Sequence, residues 1–200
     1  MFEVELKLRA DHAPVRERLV GMGADPVRAV RQVDTYYDAP DRSFADTDEA
    51  LRIRREEPLE AGSGDDATPD GNGVSADGSA LLTYKGPKVG AGSKTREEVE
   101  TPVDPDDMAT VLDRLGYGAV ATVHKERTVY AVEDHEVTLD AVRGLGEFVE
   151  VETEAPEDRI DAAREGVRDL ADRLGLDPDD GITDAYLELL LADDDLDGRS

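Results

Sequence analysis

Seven stretches of this sequence place acids and bases at every second position or end such an alternation. Glu3, Glu5 and Lys7 form the first set, Arg52 and Arg54 the second, and Arg96, Glu98 and Glu100 the third. Lys125 with Arg127 and Glu150 with Glu152 make two more, while Lys85 and Asp140 each close an alternation. Residues two apart stand on the same side of an extended strand, so each set presents its charges to one face. The opposite faces carry Val4, Leu6, Ile53 and Val151.

Turned to water, such faces would be an ordinary solvated coat. Two features favour a shared interior instead. The apolar faces need cover, and helical patterns elsewhere in the chain supply it. The only lysines are Lys7, Lys85, Lys88, Lys94 and Lys125, and three of these five fall on the charged faces. Strands closing into a barrel of about eight can hold one small ligand. Clustered Arg and Lys suit a polyphosphate, whose oxygens accept charge-assisted hydrogen bonds from several directions. Carboxylates beside a polyphosphate repel it unless cations intervene, and Mg²⁺ or Mn²⁺ bridging acid and phosphate oxygens resolves the conflict.

The elements that must position these groups follow from periodicity. Strands are expected at residues 1–9, 30–38, 51–54, 81–85, 95–103, 119–132, 136–142 and 147–154. Helices are expected at 11–23, opened by Asp11, at 104–116, opened by Asp104-Pro105, and at 157–174 and 183–191. The predicted fold class is α+β: a closed eight-stranded antiparallel barrel with a charged interior and helices packed outside. A single domain is expected over 1–192, with a mobile loop insert at 57–80 rich in Gly, Asp, Ser, Ala and Pro, and an acidic tail at 193–200.

Net charge is −26. The acids are spread between regular apolar patterns, which indicates a folded protein with an acidic coat rather than disorder. An acid-rich, lysine-poor surface resembles proteins of salt-accumulating haloarchaea. No basic stripe with interleaved aromatics marks a nucleic-acid partner, and no apolar run approaches a membrane span. Without cysteine there are no disulfides. With no signal-peptide pattern, a cytoplasmic location is expected. His12, His124 and His135 lack ligand spacing and are expected to be structural or exposed.

Glu3-Val-Glu5-Leu-Lys7 resembles the ExExK signature of the CYTH superfamily, which holds class IV adenylate cyclases and triphosphate hydrolases, including thiamine triphosphatases. The resemblance continues in order through Asp34-Thr-Tyr36-Tyr37-Asp38, Leu51-Arg52-Ile-Arg54, Thr83-Tyr84-Lys85-Gly86-Pro87 and Arg96-Glu-Glu98-Val-Glu100. It extends through Lys125-Glu-Arg127, Leu139-Asp140, the run from Gly144 to Glu152, and Tyr186-Leu187-Glu188-Leu189-Leu190. It implies a triphosphate tunnel barrel, often dimeric, with divalent-metal chemistry. By position, Lys7, Arg52, Arg54, Lys85, Lys125 and Arg127 would hold the triphosphate. Glu5 and Glu150 would lead the metal ligands, with Glu3, Asp140 and Glu152 beside them. The catalytic set implied is Glu5, Lys85, Lys125, Arg127 and Glu150. Arg96, Glu98 and Glu100 are further candidates, with Arg96 expected to pair with Glu98 or Glu100. Tyr36, Tyr37 and Tyr186 are expected to pack. The resemblance favours conversion of ATP to cyclic AMP and pyrophosphate. Hydrolysis of inorganic triphosphate, thiamine triphosphate or a nucleoside triphosphate is the alternative, and a non-catalytic polyphosphate-binding module a third. The 57–80 insert is longer than the family's usual loop.

Overall fold

The computed structural model describes residues 2–59, 79–88 and 96–197. Eight strands are β1 (Phe2–Arg9), β2 (Pro26–Asp38), β3 (Ala50–Pro58), β4 (Ser79–Lys85), β5 (Arg96–Pro102), β6 (Gly118–Val132), β7 (His135–Val142) and β8 (Gly146–Ala155). They close into one antiparallel barrel in the order β1-β5-β4-β3-β2-β6-β7-β8. Register decides which charges meet. Lys7 lies opposite Glu150 and Glu5 opposite Glu152 across β1 and β8. Asp34 faces Arg54, Lys85 faces Glu98, and Arg127 faces Asp140.

Four helices are α1 (His12–Gly21), α2 (Pro105–Arg114), α3 (Ile160–Arg173) and α4 (Tyr186–Asp197). The Asp104 carboxylate accepts from the N–H groups of Asp106 and Asp107, with Pro105 in the first turn, a cap that satisfies otherwise orphaned donors. Asp11 makes no such bond. The His12 N–H donates instead to Glu147 at 2.7 Å, which ties α1 to β8.

The apolar strand faces point outward. Val4, Leu6, Leu8, Val137, Leu139, Val149 and Val151 are buried under Val15 and Leu19 of α1 and Val167 and Leu170 of α3. Leu51 and Ile53 pack against Leu112 of α2. Each such side chain contributes roughly 1.5–3 kcal/mol on burial. The charged faces are thereby forced into the lumen. A third cluster, Tyr36, Val123, Val142, Leu145, Phe148 and Tyr186, plugs one barrel end.

The structure extends several expected elements. β2 starts at Pro26 and β3 runs to Pro58. A short 3₁₀ turn over Glu157–Arg159 precedes α3. α4 continues to Asp197, into the stretch expected as a tail. Residues 60–78, most of the expected loop insert, lie outside the described residues. No described helix is long and apolar enough to cross a membrane.

Candidate active site

The lumen holds a cavity of about 270 Å³. Its lining includes Glu3, Glu5, Lys7, Arg52, Arg54, Lys85, Arg96, Glu98, Glu100, Lys125, Arg127, Glu150 and Glu152. Charges inside fall into two groups, bridged by Arg52, whose Nη2 lies 3.9 Å from Glu98 and 4.0 Å from Glu100. In the first, the Arg54 guanidinium donates through Nε and Nη2 to both Asp34 oxygens, each at 2.7 Å. Arg52 Nη1 stands 3.4 Å from the same carboxylate. Burial alone would raise the Asp34 pKa, but Arg54 and Arg52 outweigh it and hold the group well below the usual carboxylate range. Two strands away the same arrangement recurs. Arg127 donates through Nε and Nη2 to Asp140 at 2.7 and 2.6 Å, and Lys125 donates to Asp140 at 3.0 Å. Arg127 also reaches Glu150, and Lys7 lies 3.3 Å from Glu150.

Each unit thus has a bidentate Arg–Asp pair and a second base two residues before the arginine. Burial, then Arg127, pulls the Lys125 pKa down to about 8.

The second group is acidic. Carboxylate oxygens of Glu3, Glu5 and Glu152 lie within 4.8 Å of one another. Lys85 is held here, 3.2 Å from Glu3 and 2.6 Å from Glu98. Burial, reinforced by Glu3, Glu150 and Glu5 and opposed by Arg127, pushes the Glu152 pKa up to about 8. Burial also raises that of Glu3, with Lys85 opposing. A cluster built only of hard oxygen donors fits a divalent cation, and Glu3, Glu5 and Glu152 are the residues that would hold it. A groove of about 870 Å³, lined by Glu3, Glu98, Glu100, Asp134, Glu136, Glu152, Thr153 and Glu154, continues outward from this group.

A model of the CYTH domain matches residues 1–186. The chain belongs to the CYTH domain family. A Methanocaldococcus jannaschii protein named "Putative adenylate cyclase MJ0240" is 35% identical over 94% of this chain and 98% of that protein. Adenylate cyclase CyaB of Aeromonas hydrophila is 30% identical over 88% of this chain and 81% of its own length. The solved structure of the PH1819 protein from Pyrococcus horikoshii superposes with a TM-score of 0.81. It is 37% identical, covering 96% of this chain and 99% of that one. Membership sets this CYTH chain among enzymes that act on triphosphates.

The residues singled out from sequence converge in one lumen, with three differences in detail. Glu150 and Asp140 contact bases, and the three carboxylates that meet within 4.8 Å are those of Glu3, Glu5 and Glu152. Arg96 pairs with Asp48 at 3.7 Å, not with Glu98 or Glu100, because β5 turns it toward the loop before β3. Tyr186 does more than pack, since its hydroxyl donates to Asp140 at 3.0 Å. Sequence reasoning assigned no role to Asp34, Asp48, Thr83 or Glu136. Alternation within β2 places Asp34 on one face but names no partner. Among the histidines, His12 is buried against the Phe148 carbonyl at 3.0 Å, and His124 is exposed.

Proposed function

We propose that this CYTH chain converts ATP to cyclic AMP and pyrophosphate with the help of a divalent cation. The observation that carries this reading is that Arg52, Arg54, Lys125 and Arg127 gather around Asp34 and Asp140, while Glu3, Glu5 and Glu152 meet elsewhere in the same lumen. The β- and γ-phosphates would lie among Arg52, Arg54, Lys125 and Arg127. The α-phosphorus would then stand beside Glu3, Glu5 and Glu152, with the nucleoside in the acidic groove. These three carboxylates would hold Mg²⁺ or Mn²⁺, which supplies positive charge beside the reacting phosphorus. The ribose 3′-hydroxyl attacks the α-phosphorus and loses its proton to water, the bond from that phosphorus to the α,β-bridging oxygen breaks, and the bases stabilise the departing pyrophosphate. Positioning and charge neutralisation suffice, with no covalent nucleophile. The names of two relatives at 35% and 30% identity agree with this reading.

Hydrolysis is the second reading. It is favoured by the groove, whose described lining has no aromatic side chain on which a base could stack. The test is incubation with ATP and Mg²⁺ or Mn²⁺ in high KCl, followed by product resolution. Cyclic AMP supports the cyclase. Orthophosphate from ATP, inorganic triphosphate or thiamine triphosphate supports hydrolysis. Binding without product leaves a non-catalytic module. Glu5→Gln is expected to lower turnover about 100-fold or more, while triphosphate still binds without metal. Unchanged turnover in both Glu5→Gln and Glu152→Gln would remove these residues from the metal site.

A further inference from the structure

The segment leading into α4 converges on one base. The Ile182 N–H donates to the Lys7 carbonyl at 2.7 Å. The Lys7 ammonium lies 3.4 Å from the Asp184 carbonyl and 3.6 Å from the centre of the Tyr186 ring. The Lys125 ammonium faces the same ring at 5.2 Å. The ring is fixed in turn, edge-on to Phe148 at 5.0 Å between centroids and by its hydroxyl on Asp140 at 3.0 Å. Lys7 and Tyr186 are both buried.

We infer that Tyr186 is a positioning residue for the triphosphate site, acting through Lys7. The inference rests on the reading of the lumen as a triphosphate site. A lysine ammonium sits on a flexible four-carbon stem, and Glu150, 3.3 Å away, attracts it toward the β8 wall. An aromatic face attracts a desolvated ammonium without neutralising it. The ring therefore competes with Glu150 for the Lys7 ammonium and sets where in the lumen it stands. The C-terminal helix, by docking its first residue, sets where that charge stands.

The experiment is calorimetric titration of the whole chain with inorganic triphosphate in high KCl without divalent metal. Tyr186→Leu removes the ring face and weakens binding about 10- to 30-fold, the range of a desolvated cation–π contact. Tyr186→Phe keeps the ring and recovers most of the affinity, and it serves if the Leu variant folds poorly. In a Lys7→Ala background, Tyr186→Leu adds less than about threefold, because contacting residues that act through one another are not additive. The inference is overturned if Tyr186→Leu weakens binding equally with and without Lys7, if it leaves binding unchanged, or if Phe fails to rescue. If the unmodified chain binds no triphosphate, the reading of the lumen itself falls, and this inference with it.

Discussion

With its pKa pulled down to about 8, Lys125 is only partly charged just above neutrality. A bound triphosphate favours the ammonium and shifts that value back up. Binding between pH 8 and 9 therefore takes up protons. Calorimetry in buffers of different ionisation enthalpy should show this uptake, and Lys125→Arg should reduce it, since arginine stays charged throughout and Glu152 is left titrating in that range. A buffer-independent heat in the unmodified chain would refute the assignment. Asp34 titrates in the opposite sense. Its folded-state pKa lies below the ordinary value of about 3.9, so its contribution to stability is complete above that value and is lost as pH falls toward the folded one. Asp34→Asn leaves Arg52 and Arg54 short of a counter-charge and should cost about 3–5 kcal/mol near neutrality. Denaturant unfolding should show the penalty shrinking as pH drops below about 4. Asp34 was hard to read from sequence because aspartate is poor in strands, and because its partner is set by the β2–β3 register.

At the scale of elements, pairing is uneven. Among the described residues β1 and β5 share only the pairs Phe2–Glu97 and Glu3–Arg96, whereas β2 and β6 pair from Pro26 to Asp38. Among the described residues Val99 to Pro102 therefore have no β1 neighbour, and Val99 is exposed. Their amides should exchange with deuterium well before those of central β6, because local opening follows the contacts that resist it. Equal protection of β5 and β6 would contradict this. Alternation made the strands legible wherever one face is apolar. The first four residues of β2 escaped because Val27 is largely exposed and Pro26 reads as a strand breaker. Alternation also showed which residues share a face. It did not tell Glu152, which closes a three-glutamate cluster, from Glu150, which faces Lys7 and Arg127. That distinction arises from the β1–β8 register, which sets Glu152 beside Glu5 and Glu150 beside Lys7.

The whole molecule carries a net charge of −26, and eight of its 23 bases line the lumen. Repulsion across the surface then acts over about 10 Å at 0.1 M salt and about 3 Å at 1 M. Raising KCl across that range should lift the melting temperature on the order of 5–10 °C. A flat or falling dependence would show that the coat costs nothing at low salt. The first and last strands of the barrel are neighbours, with Phe2–Arg9 aligned along Phe148–Ala155. During synthesis Phe2–Arg9 must therefore wait for this partner until Phe148–Ala155 has been made. Glu3 and Glu5 meet Glu152 only at that last stitch, so a fragment ending before β8 has no three-glutamate cluster, whatever helices it has already formed.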